Sequence, residues 1–262
     1  MHVTKMHGAR NDFVVVDGRA TPLRGITSFA RWACDRRTGI GADGVILLEP
    51  SQRAAVRMRT INADGTEAEM CGNGIRCAAR WLDESGEGDN IAFETDAGIV
   101  RTEIVAREPE YLVRVAMGRP RIVAGTRSST PLATFVDLGN PHVVVFESGV
   151  DSIDLCGLAK EYQNDPAFSN GTNVHLAAPL RNGSLRVIHW ERGVGLTQAC
   201  GTGAVACAAV AVDKKLAASP VEVFVPGGRL VVEFDESGAA YLIGPAVRVF
   251  DTEVNVGVGI MP

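Results

Sequence analysis

The sequence predicts an α+β fold of two pseudo-symmetric halves, each a curved mixed β-sheet or barrel around a central helix, with the active site in the cleft between them. Three observations carry this expectation. First, the plan of residues 61–77, INADGTEAEMCGNGIRC, returns as QACGTGAVAC at residues 198–207, so a cysteine directly precedes Gly-x-Gly at Cys71 and again at Cys200. Second, the offset of 129 positions between those cysteines also carries Asn11 onto Asn140, Val14 to Val16 onto Val143 to Val145, and Asn62 onto Glu191. An offset shared by independent landmarks marks an internal duplication and settles the architecture before any local assignment. Third, each cysteine opens a helix-like run, and short β-branched stretches surround both. The halves divide into residues 1–124 and 125–262, with AGTRSSTP at 124–131 as the linker.

In the first half, residues 3–8 and 13–17 read as strands, with Asn11 at the turn between them. Thr27 or Ser28 is positioned to cap a helix over residues 29–37 that stops at Gly39. GIGADG, residues 39–44, has the spacing of a dinucleotide-binding turn, but a helix precedes it and the strand-like VILLEP follows, the reverse of what that fingerprint requires. The alternation over residues 54–63 makes a strand that delivers Asn62 to a turn. After Cys71, Ile75, Ala78, Ala79 and Leu82 recur at helical spacing, with Arg76, Arg80 and Asp83 on other faces, until Gly86 ends the helix. Strands follow at 91–95, 99–105 and 111–116.

The second half repeats the plan. A strand over 135–138 leads through GNPH into VVVF, a helix starts after Asp154, a strand reaches Asn173, and the alternating SLRVIHWERG carries Glu191 and Arg192 to a turn. The helix from Gly201 to about Leu216 is apolar on nearly every face, which places it inside the protein. Strands at 221–225, 230–234, 240–243 and 247–250 are available to wrap it.

Composition narrows the function. The chain has 262 residues, 46% hydrophobic and 22% charged, the make-up of an ordinary globular protein. A net charge of −5 without a block of Lys and Arg excludes an electrostatic footprint for nucleic acid or an anionic membrane. The longest apolar run, residues 204–212, is far short of the ~20 residues that span a bilayer. A cytoplasmic protein with a small-molecule partner is expected, and its six cysteines are then free thiols. No metal is expected: Cys71 and Cys77 diverge by about 120° on a helix, and no Cys-x-x-Cys spacing occurs. Cys34, Cys77, Cys156 and Cys207 read as small buried apolar residues.

The paired cysteines suggest proton transfer. A thiol at a helix N-terminus meets unpaired backbone N–H groups and the positive end of the helix dipole, which favour the thiolate by ~0.3–2 kcal/mol. The glycines after each cysteine let main chain approach a ligand, so two opposed helix ends could clasp a carboxylate. One thiolate would then remove a proton from the neighbouring carbon while the opposite thiol returned one, inverting the centre without pyridoxal phosphate or metal. Rival readings are tight packing of small residues, a nucleophilic cysteine hydrolase, for which no fixed second helper is evident, and a non-catalytic amino-acid-binding module.

HGARNDFVVVD, GIGADG, NADGTEAEMCGNGIRC, LGNPH, TNV and ERGVGLTQACGTGA resemble, in order and across nearly the whole chain, the signature segments of the diaminopimelate epimerase family. The resemblance implies a cofactor-independent two-base epimerase that interconverts LL- and meso-2,6-diaminopimelate in lysine and peptidoglycan synthesis. It also implies that the C-terminal segment crosses back to the first half, and it is compatible with a homodimer. Carried over by position, it makes Cys71 and Cys200 the acid/base pair. Gly72, Asn73, Gly201 and Thr202 would bind the reacting end, and Asn11, Asn62, Asn140, Asn173, Glu191 and Arg192 the other polar groups. A substrate zwitterionic at both ends asks for such a set, Arg192 for a carboxylate and Glu191 for an ammonium.

His142 replaces Phe13 at the repeat offset and breaks the internal symmetry. Alone it reads as a satisfied core histidine; the resemblance implies that it tunes one catalytic thiol and Glu191 the other, leaving open which serves which. Arg10, Gly44 and Leu196 depart from the family's common glycine, glutamine and glutamate, which bears on the substrate pocket and loop closure rather than on proton transfer. The alternative is a related amino-acid racemase of the proline racemase-like group, in which a histidine stands where this chain has Asn73.

Overall fold

The computed structural model describes residues 1–123 and 133–255. The expected linker at 124–131 and the division at 124 lie outside the described residues. The chain is mixed α+β and forms two compact units, Met1–Val115 with Gly244–Pro262, and Ala116–Ile243.

In the first unit, β1 (His2–Gly8) and β2 (Asn11–Asp17) form an antiparallel hairpin. Its turn holds Ala9 at φ 52° and Arg10 at φ 65°, backbone that glycine adopts at least cost. β2 runs parallel to β3 (Gly44–Glu49), which is antiparallel to β4 (Val56–Asn62). The two-residue β5 (Glu67–Ala68) closes a hairpin on β4. β4 lies parallel to β6 (Asn90–Thr95), and β7 (Gly98–Ala106) and β8 (Leu112–Gly118) follow antiparallel. β2 and β3 are buried on both faces, as continuous apolar runs in parallel strands are.

One face of these strands meets α1 (Ile26–Cys34), whose Phe29, Ala30, Ala33 and Cys34 pack with Val14, Val16, Val45 and Leu47. The helix α2 (Gly72–Glu84) packs against β1, β2, β3, β4 and β7. Two expectations need correction here. α1 begins at Ile26 behind Gly25 in the left-handed region, not behind a Thr27 or Ser28 cap, and it ends at Cys34 because the Asp35 carboxylate takes the Arg37 and Thr38 amides. Arg76, assigned to another face than the apolar one, is fully buried.

The second unit repeats this topology. β9 (Arg121–Val123) and β10 (Ala133–Asp137) pair antiparallel, and β10 pairs with β11 (Pro141–Phe146). β11 is parallel to β12 (Asn173–Pro179), which is antiparallel to β13 (Leu185–Glu191), itself closed by β14 (Gly195–Thr197). β13 is parallel to β15 (Val221–Val225), and β16 (Gly228–Phe234) and β17 (Ala240–Pro245) complete the order. The outer helix α3 (Leu155–Gln163) is capped by Asp154, which accepts from the Gly157 amide. α4 (Gly201–Asp213) packs against β10 to β13, β15 and β16. Burying a Val side chain contributes ~1.5–3 kcal/mol, so Val205 and Val210, both fully buried, hold α4 in place. The last strand, β18 (Val247–Glu253), pairs with β1 of the first unit.

The duplication extends to hydrogen-bond register. Phe13 pairs with Gly44 in the first unit and His142 with Asn173 in the second, both partners displaced by 129. Past the cysteine helices the offset grows by one: Val56 pairs with Phe93, and Leu185 with Val223. α4 is shorter than expected, ending at Asp213 instead of Leu216. Lys215, at φ 58°, turns the chain so that its amide reaches the Val212 carbonyl and the Leu216 amide reaches that of Ala211, a Schellman closure without glycine.

Candidate active site

Both cysteines are helix N-caps with the same local geometry. Cys71 has φ −131° and ψ 112°, Cys200 φ −119° and ψ 114°. The Gly74 amide donates to Cys71 Sγ at 3.4 Å, and the Gly203 amide donates to Cys200 Sγ at 3.4 Å. The Gly72 and Gly201 amides stand at the first helical position, where an N–H has no acceptor within the helix and the dipole favours an anion.

Around Cys71, each polar side chain is held by another. Cys71 Sγ lies 3.8 Å from Asn11 Oδ1, which also accepts from Asn73 Nδ2 at 3.1 Å. Asn11 Nδ2 donates to Asp43 at 2.8 Å, and Asn73 Oδ1 accepts from Arg76 Nη2 at 2.9 Å. Arg76 also donates to the carbonyls of Gly72 and Pro245, so its buried guanidinium is met by neutral acceptors, and burial lowers its pKa to about 10. Asp43 and Asp12 share Arg36, and Asp12 also pairs with the buried Lys5, which together hold the Asp12 carboxyl well below the usual range against the burial that opposes them. Asn62 donates to Thr66 Oγ1 at 3.0 Å in the β4–β5 turn.

Around Cys200 the chemistry differs. Cys200 is buried, and the Glu191 carboxylate is near enough for its charge to act on the thiol. Burial first, and the Glu191 charge second, push the Cys200 thiol well up; burial also raises Glu191, against the hydroxyl of Thr197 that donates to it at 2.6 Å. The expectation that a helix N-terminus would favour the thiolate is therefore reversed at Cys200, because desolvation outweighs the dipole. Thr202 Oγ1 lies 3.6 Å from Cys200 Sγ. Asn173 donates to the Pro141 carbonyl at 3.0 Å and accepts from the Arg192 amide at 3.0 Å, tying the Glu191 turn to β11. The Arg192 guanidinium donates to the Asn170 carbonyl. His142 uses both ring nitrogens, one on Asn140 Oδ1 and one on His175, each at 2.9 Å.

The structure thus groups Cys71, Gly72, Asn73 and Asn11 in the first unit, where Asn62 ends β4, and Cys200, Gly201, Thr202, Glu191, Arg192 and Asn173 in the second, where Asn140 and His142 stand at the start of β11. The sequence reading missed Asp43, Arg76, Lys5 and the histidines behind His142. Asp43 lies inside GIGADG, a segment marked in the sequence by its glycines and not by its carboxylate. All six cysteines are free thiols, and Cys156 is half-buried rather than buried. Among the described residues no cluster of His, Cys, Asp or Glu could hold a metal ion, and no helix is long and apolar enough to cross a membrane.

Comparison with known proteins gives the family. The family model for diaminopimelate epimerase matches residues 3–123 and 134–249. The chain is 43% identical to the diaminopimelate epimerase of Desulforudis audaxviator, over 96% of this chain and 98% of that one. It is 41% identical to that of Archaeoglobus fulgidus, over 95% and 94%. Among solved structures, a phenazine biosynthesis protein of the PhzF family from Bacillus anthracis superposes with a TM-score of 0.76 at 19% identity, covering 98% of this chain and 99% of that one. A probable proline racemase from Agrobacterium radiobacter gives 0.71 at 16% identity, over 98% and 93%. At those identities the structural likeness speaks for the fold alone, one of two pseudo-symmetric halves, whereas the family model and the curated relatives span both halves: the chain is an isomerase and belongs to the diaminopimelate epimerase family.

Proposed function

We propose that this chain interconverts LL- and meso-2,6-diaminopimelate without a cofactor, with Cys71 and Cys200 as the two proton-transfer groups, and so serves lysine and peptidoglycan synthesis. The observation that carries the reading is the repeated N-cap geometry: two thiols, each receiving a glycine amide at 3.4 Å, each at the start of a buried helix.

Inversion needs a base on one face of the α-carbon and an acid on the other. The Cys71 thiolate takes the α-proton, and the Cys200 thiol, which burial keeps protonated, delivers one; Cys71 ends as thiol and Cys200 as thiolate. In the reverse direction Cys200 must begin as the thiolate. Glu191 makes this accessible: when the Cys200 proton moves to Glu191, the buried pair keeps one negative charge, and no additional charge is desolvated. Charge developing on the substrate carboxylate is met by the first amides of the two helices, Gly72 and Gly201. Asn11, Asn62, Asn140, Asn173 and Arg192 hold the remaining polar groups.

The test is solvent exchange. Purified protein without added cofactor should incorporate deuterium from heavy water at the α-carbon of LL-diaminopimelate and yield the meso isomer. Cys71→Ala and Cys200→Ala should each lower interconversion by at least ~10²–10⁴-fold, the usual worth of a positioned acid or base. Full activity in either variant removes the two-thiol mechanism, and turnover of proline or hydroxyproline instead moves the substrate to the racemase-like group.

A further inference from the structure

The second half carries three histidines where the first half, 129 positions earlier, has Phe13, Ile46 and Thr60. His142 lies on β11, His175 on β12 and His189 on β13, and the last two are direct cross-strand partners. None is more than 1% exposed. Their rings stand in file. His142 Nδ1 is 2.9 Å from His175 Nε2, and His175 Nδ1 is 2.9 Å from His189 Nδ1. At the front, His142 Nε2 is 2.9 Å from Asn140 Oδ1; at the back, His189 Nε2 is buried without a partner.

The file has a polarity. Burial keeps all three rings neutral, so each carries one N–H and one lone pair. If Asn140 turns its oxygen to the ring, His142 donates from Nε2, His175 donates to His142 Nδ1, and His189 donates to His175 Nδ1. The unpartnered atom is then a lone pair. Turning the Asn140 amide over reverses every bond and strands an N–H at His189 instead. A buried orphan N–H is the rarer and costlier of the two, so the donors run from His189 toward Asn140.

We propose that His175 and His189 are positioning residues. Their hydrogen bonds fix His142 as the Nε2–H tautomer, and His142 in turn holds Asn140 with its oxygen inward and its NH2 presented to a substrate carboxylate. This rests on the reading that Asn140 binds substrate. The first half shows that the file is not required for shape. There Gly74 packs on Ile46, where an added Cβ would come within 2.6 Å of Cδ1, as Gly203 packs on His175 at 2.5 Å. An aliphatic side chain fills the same slot without fixing any tautomer.

Nitrogen-15 NMR of histidine-labelled protein at pH 7 tests this without turnover. The expected spectrum has neutral rings, with the proton on Nε2 in His142 and His175 and on Nδ1 in His189. His175→Gln retains an amide donor for His142 Nδ1 and should keep both the His142 tautomer and the KM for diaminopimelate. His175→Ile should leave His142 exchanging between tautomers and raise KM about tenfold, the equivalent of one lost hydrogen bond. A wild-type His142 protonated on Nδ1 or on both nitrogens overturns the proposal, as does a folded Ile variant with unchanged tautomer and KM. Should the Ile variant not fold, the wild-type spectrum decides alone. The expected tautomers in a protein that does not turn over diaminopimelate would refute the proposed substrate and leave the histidine file standing.

Discussion

The Glu191 carboxylate, which accepts from the Thr197 hydroxyl at 2.6 Å, stands beside the buried Cys200 thiol, and its charge raises the cost of ionising that thiol. The Glu191 charge is the second cause, after burial, of the raised Cys200 pKa. Glu191→Gln keeps the volume and removes the charge. In a Cys71→Ala background, the thiolate absorbance of Cys200 should therefore appear at lower pH in the glutamine variant. Epimerisation by the single Glu191→Gln variant should fall nonetheless, by ~10²–10⁴-fold, because Cys200 then has nowhere to put its proton. An unchanged thiol titration would show that the carboxylate does not act on Cys200.

The three buried histidines should make the fold acid-sensitive above the range where carboxylates titrate. Burial, opposed by Asp137 and assisted by Arg192, lowers His142 from 6.5 to about 4; burial, His142 and Arg186 lower His189 to about 3. A histidine with a depressed folded pKa is protonated first in the unfolded chain. Its contribution is whole above about pH 6.5 and is lost as pH falls toward 4 and 3, with a slope of ~1.4 kcal/mol per pH unit for each ring. Glu191, whose pKa is raised, works in the opposite sense and offsets part of the loss. Urea unfolding of His189→Thr, which installs the residue found at position 60, should show a shallower decline between pH 6 and 4 by about one proton's slope. Equal slopes in the two proteins would contradict the assignment.

Arg76 should matter more than a helix-surface arginine would. Its guanidinium serves the Gly72 and Pro245 carbonyls and Asn73 Oδ1, and Gly8 has no side chain so that β1 can approach it. Arg76→Leu removes the guanidinium that the Gly72 and Pro245 carbonyls and Asn73 Oδ1 share, and a buried hydrogen bond left unmade costs ~1–3 kcal/mol. A stability loss of at least ~2 kcal/mol in urea is expected; if Asn73 binds substrate as the family resemblance implies, binding weakens as well, because Asn73 Oδ1 loses the Arg76 donor. A loss within a few tenths of a kcal/mol would mean that water replaces the guanidinium.

What the sequence disclosed and what it hid follow from the range of each interaction. Cys71, Cys200 and their glycines were legible because a duplication states the same local geometry twice, and the alternation of β13 was legible because it is local. Arg76 was not: the carbonyl that buries it comes from Pro245, 169 positions away. The end of α4 was missed because Lys215 takes the left-handed position that glycine usually signals. The short strands β5 and β14 were hidden in polar turns. The partners of His142 became visible only once register put β12 and β13 beside it.

The two glycines at the third helical position should respond unequally to alanine. At Gly74 the new Cβ would come within 2.6 Å of Ile46 Cδ1, the far end of a flexible side chain, with the next Ile46 atom at 3.5 Å. At Gly203 it would meet three atoms of the His175 ring at 2.5, 2.8 and 3.0 Å, and that ring is hydrogen-bonded on both sides. A methyl can rotate away; a planar ring fixed at two nitrogens must carry His142 and His189 with it. Alanine favours either helix by ~1 kcal/mol over glycine, whereas overpacking costs ~1–3 kcal/mol. Gly74→Ala should therefore lie near neutrality in thermal and urea unfolding, and Gly203→Ala should be less stable than it by about 1–3 kcal/mol. Alanine keeps the amide that donates to Cys200 Sγ, but a main-chain shift that clears the His175 ring moves that donor with it, so the same variant should lose epimerase activity beyond what its stability explains. Equal effects at the two positions would mean that His175 yields as easily as Ile46, and that the histidine file is not rigid.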